Sequence, residues 1–212
     1  FELIPALSFI IQGGYCRSCK KPIPRMYLAI ELTTAALFVI FGAAVFRGVA
    51  PMPEFLAHSD GGFSVGGNWP VLTLAFLYYV FFAASAVAIS FYDIARGMVA
   101  CVLVWPLAAI GLADKIAGAL RSGDFSSLLS TGAVAMASFL FFWSIWFFSK
   151  GRAMGRGDAD AALAISLYLG GKTGVLGLLF SFWIGSLVGI ALIASGKLGW
   201  KSRMPFTPFM FL

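Results

Sequence analysis

The chain has 212 residues, of which 60% are hydrophobic and only 11% charged, against roughly a quarter charged in an ordinary soluble domain. With a mean hydropathy of +0.93, this excludes a soluble globular protein. The formal charge of +6 does not point to nucleic acid, because the basic residues are strung between apolar runs rather than gathered into a stripe or patch.

Apolar runs of about 20 residues, enough to cross a hydrocarbon core about 30 Å thick, recur along the sequence. They predict an all-α polytopic membrane helix bundle. The first residue is Phe rather than Met, and "MPFTPFMFL" stops as another apolar run starts, so a fragment cut at both ends is expected. Residues 1–25 read as part of a cytoplasmic loop, and 26–212 as one membrane domain.

In chain order, the loop comes first. Its "CRSC" places Cys16 and Cys19 at the spacing of half a tetrahedral zinc site, whose thiolates hold zinc at about 2.3 Å. The remaining ligands are not in this stretch, so zinc binding stays open. The only other cysteine, Cys101, is far away in sequence, and an odd total gives no disulfide framework.

Membrane segments are expected at Met26–Phe46, Pro70–Tyr92, Met98–Ala117, Ser126–Ser149, Ala159–Leu169 and Thr173–Ser195, with another beginning near Pro205. Cys101 then falls inside the third, where a thiol packs as a small apolar group. The long connection after the first span is punctuated by Pro, Gly and Asn, and its lone His58 reads as solvated.

Positive charge is retained on the cytoplasmic side of a membrane. Arg17, Lys20, Lys21, Arg25, Arg96, Lys150, Arg152, Arg156, Lys197, Lys201 and Arg203 fall on one face, eleven in all; Arg47, Lys115, Arg121 and Lys172 make four on the other. The richer face also carries the cysteine pair, Asp93 and Asp158.

Asp93 closes the second span in "VAISFYDIARGMV", and Asp158 opens the fifth in "MGRGDADAALA". A carboxylate buried in lipid costs at least about 2.5 kcal/mol, so an acidic residue at a membrane boundary is a candidate for function. A competing reading needs only local structure: Asp at a helix start caps it and complements the macrodipole, and this accounts for Asp158 or Asp160 on residue type alone.

Two features weigh the other way. Gly155 and Gly157 bracket Arg156 and permit positive φ and close backbone approach, so the segment can bend and admit an extended peptide. The segment Ala159–Leu169 makes only about 17 Å of helix, about half the hydrocarbon thickness, so it ends inside protein or the bilayer thins. Asp160, two residues beyond Asp158 and so about 200° round a helix, points away and reads as a polar or capping residue.

"GRGD" opening a membrane helix, with a second Asp ending an earlier one, resembles the GxGD class of intramembrane aspartic proteases. Within that class, "IPALSFIIQGGYCRSCKKPIPRMYLAIELTTA" is similar to the opening of the prepilin peptidases. The matching positions are Ile4, Pro5, Ser8, Gly14, Cys16, Cys19, Ile23, Pro24, Arg25 or Met26, Tyr27 and Glu31. The terminal "MPFTPF", Met204 to Phe209, resembles the family's Ile-Pro-Phe-Gly-Pro-Phe ending. There are departures: "IARGMV" follows Asp93 where the family commonly has Ile-Pro, and Ala159–Asp160 follow Asp158 where it often has Val-Lys.

The resemblance implies a catalytic dyad of Asp93 and Asp158, flanked by the motif glycines Gly155 and Gly157. Two like charges close together cannot both ionise, so one Asp polarises the scissile carbonyl while the other activates water. The implied substrate is a prepilin or pseudopilin of a type IV pilus or type II secretion system, with its basic leader at the cytoplasmic face and its apolar helix in the lipid bilayer. Basic loops would repel such a leader unless anionic lipid masks them.

No cofactor is implied for the cleavage. N-methylation of the new N-terminus from S-adenosylmethionine is a further family trait, and the implied location is the bacterial inner membrane. The alternatives are a membrane transporter using intramembrane carboxylates as a proton relay, and a catalytically silent assembly factor.

Overall fold

The computed structural model describes residues 5–56, 69–152, 154–196, 199 and 204–211. Ile4, His58, Lys197, Lys201 and Arg203 lie outside the described residues, so nothing is added to their sequence reading. The elements are α1 (Pro5–Ile11), α2 (Arg25–Phe46), α3 (Trp69–Arg96), α4 (Cys101–Ser122), α5 (Ser126–Ser149), α6 (Arg156–Leu169), α7 (Gly171–Ala194) and α8 (Thr207–Met210).

Among the described residues there is no strand, only an isolated bridge between Tyr15 and Pro22. Helices α2, α3, α4, α5 and α7 are long and apolar enough to cross a membrane. The all-α polytopic bundle expected from composition is therefore the architecture found.

Helix ends have local causes. α3 stops before Gly97 (φ 64) and α4 before Gly123 (φ 69), both in the left-handed region that glycine enters without steric cost. Asp124 sets the start of α5: its carboxylate accepts the Ser126 N–H at 2.8 Å and the Ser126 hydroxyl at 2.9 Å. These bonds hold the exposed Asp124 carboxyl below its ordinary range. Between α6 and α7 a single residue, Gly170 (φ 86), caps one helix and starts the next.

Two compact units are formed, Phe1–Pro51 with Val65–Val87, and Met52–Ser64 with Ala88–Leu212, so α3 contributes its first part to one and its last part to the other. In the first unit α1 packs on α2. The Phe41 ring of α2 stacks on Tyr79 of α3 at 5.4 Å between centroids, and the Tyr79 hydroxyl donates to the Pro51 carbonyl.

In the second unit α6 is the centre, packed by α4, α5, α7 and α8. Ala159, Ala161, Ala162, Ala164 and Ile165 are wholly buried. Small residues let the backbones close up: a Cβ on Gly111 of α4 would lie 2.8 Å from the Tyr168 backbone, and one on Gly174 of α7 would lie 3.0 Å from Ser166 Cα. Around the lower-numbered half of α6 the rings of Phe142, Phe182 and Phe206 complete an apolar core.

α6 has 14 residues, about 21 Å of helix at 1.5 Å each. It starts three residues earlier than expected, yet remains shorter than a hydrocarbon core. The helix expected to begin near Pro205 begins at Thr207, and its described residues pack on α6 and α7.

A polar cluster sits at the far end of α6. The Lys115 ammonium donates to Glu54 at 3.0 Å and to Asp114 at 3.1 Å. Asp114 accepts the Phe55 N–H at 3.0 Å, and Arg121 donates to the Phe55 carbonyl. Sorted by sequence, Lys115 counted as a charge at the membrane face; the structure corrects this to a buried side chain within α4, tolerated there because two carboxylates neutralise it.

Candidate active site

Asp93 lies in the last turn of α3, three residues before Arg96, and Asp158 is the third residue of α6. A C-terminal turn and an N-terminal turn thus bring the two acids to one place in the second unit. Both are buried, with 5% and 6% of their surface exposed. They are close enough for the Asp93 charge to act on Asp158.

Between them stands Thr207, the fully buried first residue of α8. Its hydroxyl donates to Asp158 Oδ1 at 2.9 Å. The same hydroxyl and the Thr207 backbone N–H also interact with the Asp93 carboxylate. Asp93 Oδ2 is buried and accepts no hydrogen bond among the described residues.

Asp158 Oδ2 accepts the Gly155 N–H at 3.0 Å, which satisfies one of the orphan donors at the helix start. The local capping role and the paired arrangement therefore coexist in one side chain. Capping explains neither the burial of Asp93 nor the approach of the two acids.

The glycines work by space rather than by unusual backbone. Gly155 has φ −76, and Gly157 is an ordinary helical residue of α6. The positive φ expected of them is not used. Close approach is: a Cβ on Gly157 would stand 2.5 Å from Val99 Cβ, so only a bare Cα lets the α3–α4 connection pass over the first turn of α6.

Asp160 is not part of the pair. It is partly exposed, feels the Arg156 charge one turn back, and its Oδ2 lies 3.9 Å from Cys101 Sγ. Cys101 is a correction to the sequence reading: it is exposed, the first residue of α4 rather than a packed thiol inside a span. The cause is the turn at Gly97, after which Ala100 is extended (ψ 90) and delays the helix.

In the first unit the CRSC stretch forms a tight knuckle. The Cys16 N–H donates to the Lys21 carbonyl at 2.9 Å, the Lys20 N–H to the Cys16 carbonyl at 2.9 Å, and the Ile23 N–H to the Gly14 carbonyl at 2.7 Å. No disulfide joins Cys16 and Cys19. Among the described residues no group of three or more His, Cys, Asp or Glu is placed to hold a metal. The two thiols supply half a tetrahedral set, so the described residues do not fit a closed zinc site.

A cavity of about 420 Å³ beside the knuckle is lined by Ser8, Gln12, Tyr15, Cys16, Arg17 and Lys20 among others. Among the described residues that line it, the charged side chains are the basic Arg17 and Lys20. Glu31 is a half-buried residue of α2.

Fold and site together define a multi-pass membrane protein carrying a buried aspartate pair at the ends of two helices. Residues 1–45 match the bacterial peptidase A24 N-terminal domain. The chain is 30% identical over 213 residues to a prepilin leader peptidase/N-methyltransferase of Aeromonas hydrophila, covering 99% of this chain and 63% of the relative. To the protein of the same name from Burkholderia pseudomallei strain 1026b it is 28% identical over 214 residues, 99% of this chain and 60% of the relative.

The Bacillus subtilis strain 168 protein, also so named, is 30% identical over 208 residues, 98% of this chain and 71% of the relative. The chain belongs to the prepilin leader peptidase/N-methyltransferase family. It spans about six-tenths of the length of the first two relatives, 63% and 60%. No solved structure matches it.

Proposed function

We propose that this chain carries the site of a membrane-embedded aspartic endopeptidase that removes the basic leader from a prepilin or pseudopilin. The observation that carries the reading is the meeting of Asp93 and Asp158, from separate helices, across one Thr207 hydroxyl.

Two such carboxylates hold one proton between them. The ionised acid takes a proton from water, whose oxygen attacks the scissile carbonyl carbon. The protonated acid gives its proton to the carbonyl oxygen as that bond becomes single. The tetrahedral diol then collapses: one hydroxyl returns its proton to the ionised carboxylate as the C=O re-forms, the C–N bond breaks, and the leaving nitrogen takes the proton held by the other acid. Gly157 lets the α3–α4 connection, which follows Asp93, close over the first turn of α6, which carries Asp158.

Arg96 and Arg156 lie in the same turns as the acids, at α3's end and α6's start, and Lys150 and Arg152 lie in the connection that leads into α6. Positive charge there supports a cytoplasm-facing site in a bacterial inner membrane, where a leader is held back while its apolar helix stays in lipid. N-methylation by S-adenosylmethionine rests on the relatives' names alone, and no step is derived for it. None of these relatives is named as a transporter.

Coexpression with a prepilin tests the reading. Asp93→Asn and Asp158→Asn should each abolish the leader-dependent gel shift while the variants still insert and fold. Retained processing in either variant overturns the dyad.

A further inference from the structure

We infer that Thr207 is a positioning residue of the aspartate pair, a single hydroxyl that hydrogen-bonds whichever carboxylate is ionised and so fixes the pH range over which the pair holds one proton. This rests on the reading of Asp93 and Asp158 as an aspartic dyad.

The argument starts from what a hydroxyl owns: one proton to donate and two lone pairs to accept with. Thr207 Oγ1 donates to Asp158 Oδ1 at 2.9 Å and also interacts with Asp93. It cannot donate to both at once. When Asp158 is ionised the hydroxyl donates to it and accepts from a protonated Asp93. When the proton moves to Asp158, rotation of the hydroxyl about its C–O bond reverses both bonds.

A pair holding one proton is therefore satisfied in either arrangement, and a pair holding none leaves one carboxylate without this donor. Burial makes the count matter. Thr207 is wholly buried, so no bulk water replaces it, and the flanking Pro205 and Pro208 limit backbone adjustment around it. The position is also chemically distinctive: this chain has Thr where the similar prepilin peptidase ending has Gly.

The test compares Thr207→Val, which keeps the branched shape without the hydroxyl, Thr207→Ser, which keeps the hydroxyl, and Thr207→Gly. The first readout needs no substrate: the carboxylic-acid C=O band of purified protein in micelles, assigned by its loss in the Asp93→Asn/Asp158→Asn double variant, is titrated by infrared spectroscopy. Loss of a donor to a carboxylate moves titration upward. Thr207→Val and Thr207→Gly should retain the band about one pH unit higher than the parent, whereas Thr207→Ser should follow the parent.

In prepilin cleavage, Thr207→Val should lose about tenfold in kcat with KM unchanged and its acid limb displaced the same way, and Thr207→Ser should recover both. Superimposable titrations of parent, Val and Gly variants overturn the inference, as does a Ser variant that behaves like Val. Failure of the parent to cut prepilin overturns the proposed function instead, and the infrared titration still decides the role of Thr207.

Discussion

Gly157 has no side chain, and the α3–α4 connection uses that space. Since Val99 Cβ lies 2.5 Å from where a Gly157 Cβ would stand, Gly157→Ala forces either the connection or the first turn of α6 to move. Overpacking of this kind costs about 1–3 kcal/mol, and here the displaced turn carries Asp158. We expect Gly157→Ala to lower the unfolding temperature in detergent and to cut prepilin processing at least tenfold. Adding Val99→Gly removes the opposing Cβ and should restore both. If Gly157→Ala is as stable and active as the parent, close packing is not what this glycine provides.

At the scale of elements, α6 is held from both ends by different chemistry. Its start is tied by Asp158 to Gly155 and Thr207. At its end, the Lys115 ammonium lies 3.8 Å from where a Gly170 Cβ would be, against the carbonyl-rich end of the helix. Lys115→Met removes the cation but leaves Asp114 and Glu54 close together and Asp114 buried. Breaking a buried pair by removing one partner costs about 3–5 kcal/mol. Thermal unfolding should show that loss, and adding Asp114→Asn and Glu54→Gln should recover most of it. Equal stability of Lys115→Met and the parent would refute the pairing.

The same elements show what the sequence makes legible. α5 runs Ser126–Ser149, as read from hydropathy and the turn before it, because lipid demands length and apolarity of any crossing helix. Asp93 and Asp158 stand out for the same reason, as acids at the ends of apolar runs. The Lys115–Glu54 bond joins residues 61 apart and the Thr207–Asp158 bond residues 49 apart. No local periodicity encodes either, since each joins residues far apart in sequence that only the folded second unit brings together. Thr207 did leave one trace, a hydroxyl between two prolines in "MPFTPF", where the similar family motif has no side chain.

For the whole molecule the decisive property is sidedness, because the proposed leader cleavage requires the aspartate pair to face the compartment that retains the leader. α4 places Cys101 at one end and Ser122 at the other of 22 residues, about 33 Å of helix and so a full crossing. Cys101 is exposed and 3.9 Å from Asp160, two residues beyond Asp158, so its thiol reports the face on which the aspartate pair lies. Asp124, exposed in the turn after α4, reports the opposite face. With Cys16 and Cys19 changed to Ser, a membrane-impermeant maleimide should modify Cys101 in inverted vesicles and not in right-side-out ones. With Cys101→Ser and Asp124→Cys the pattern should reverse. Labelling of Cys101 from the outer face would place the carboxylate pair on the side to which pilin helices are exported, where no basic leader is held, and a leader peptidase could not work there.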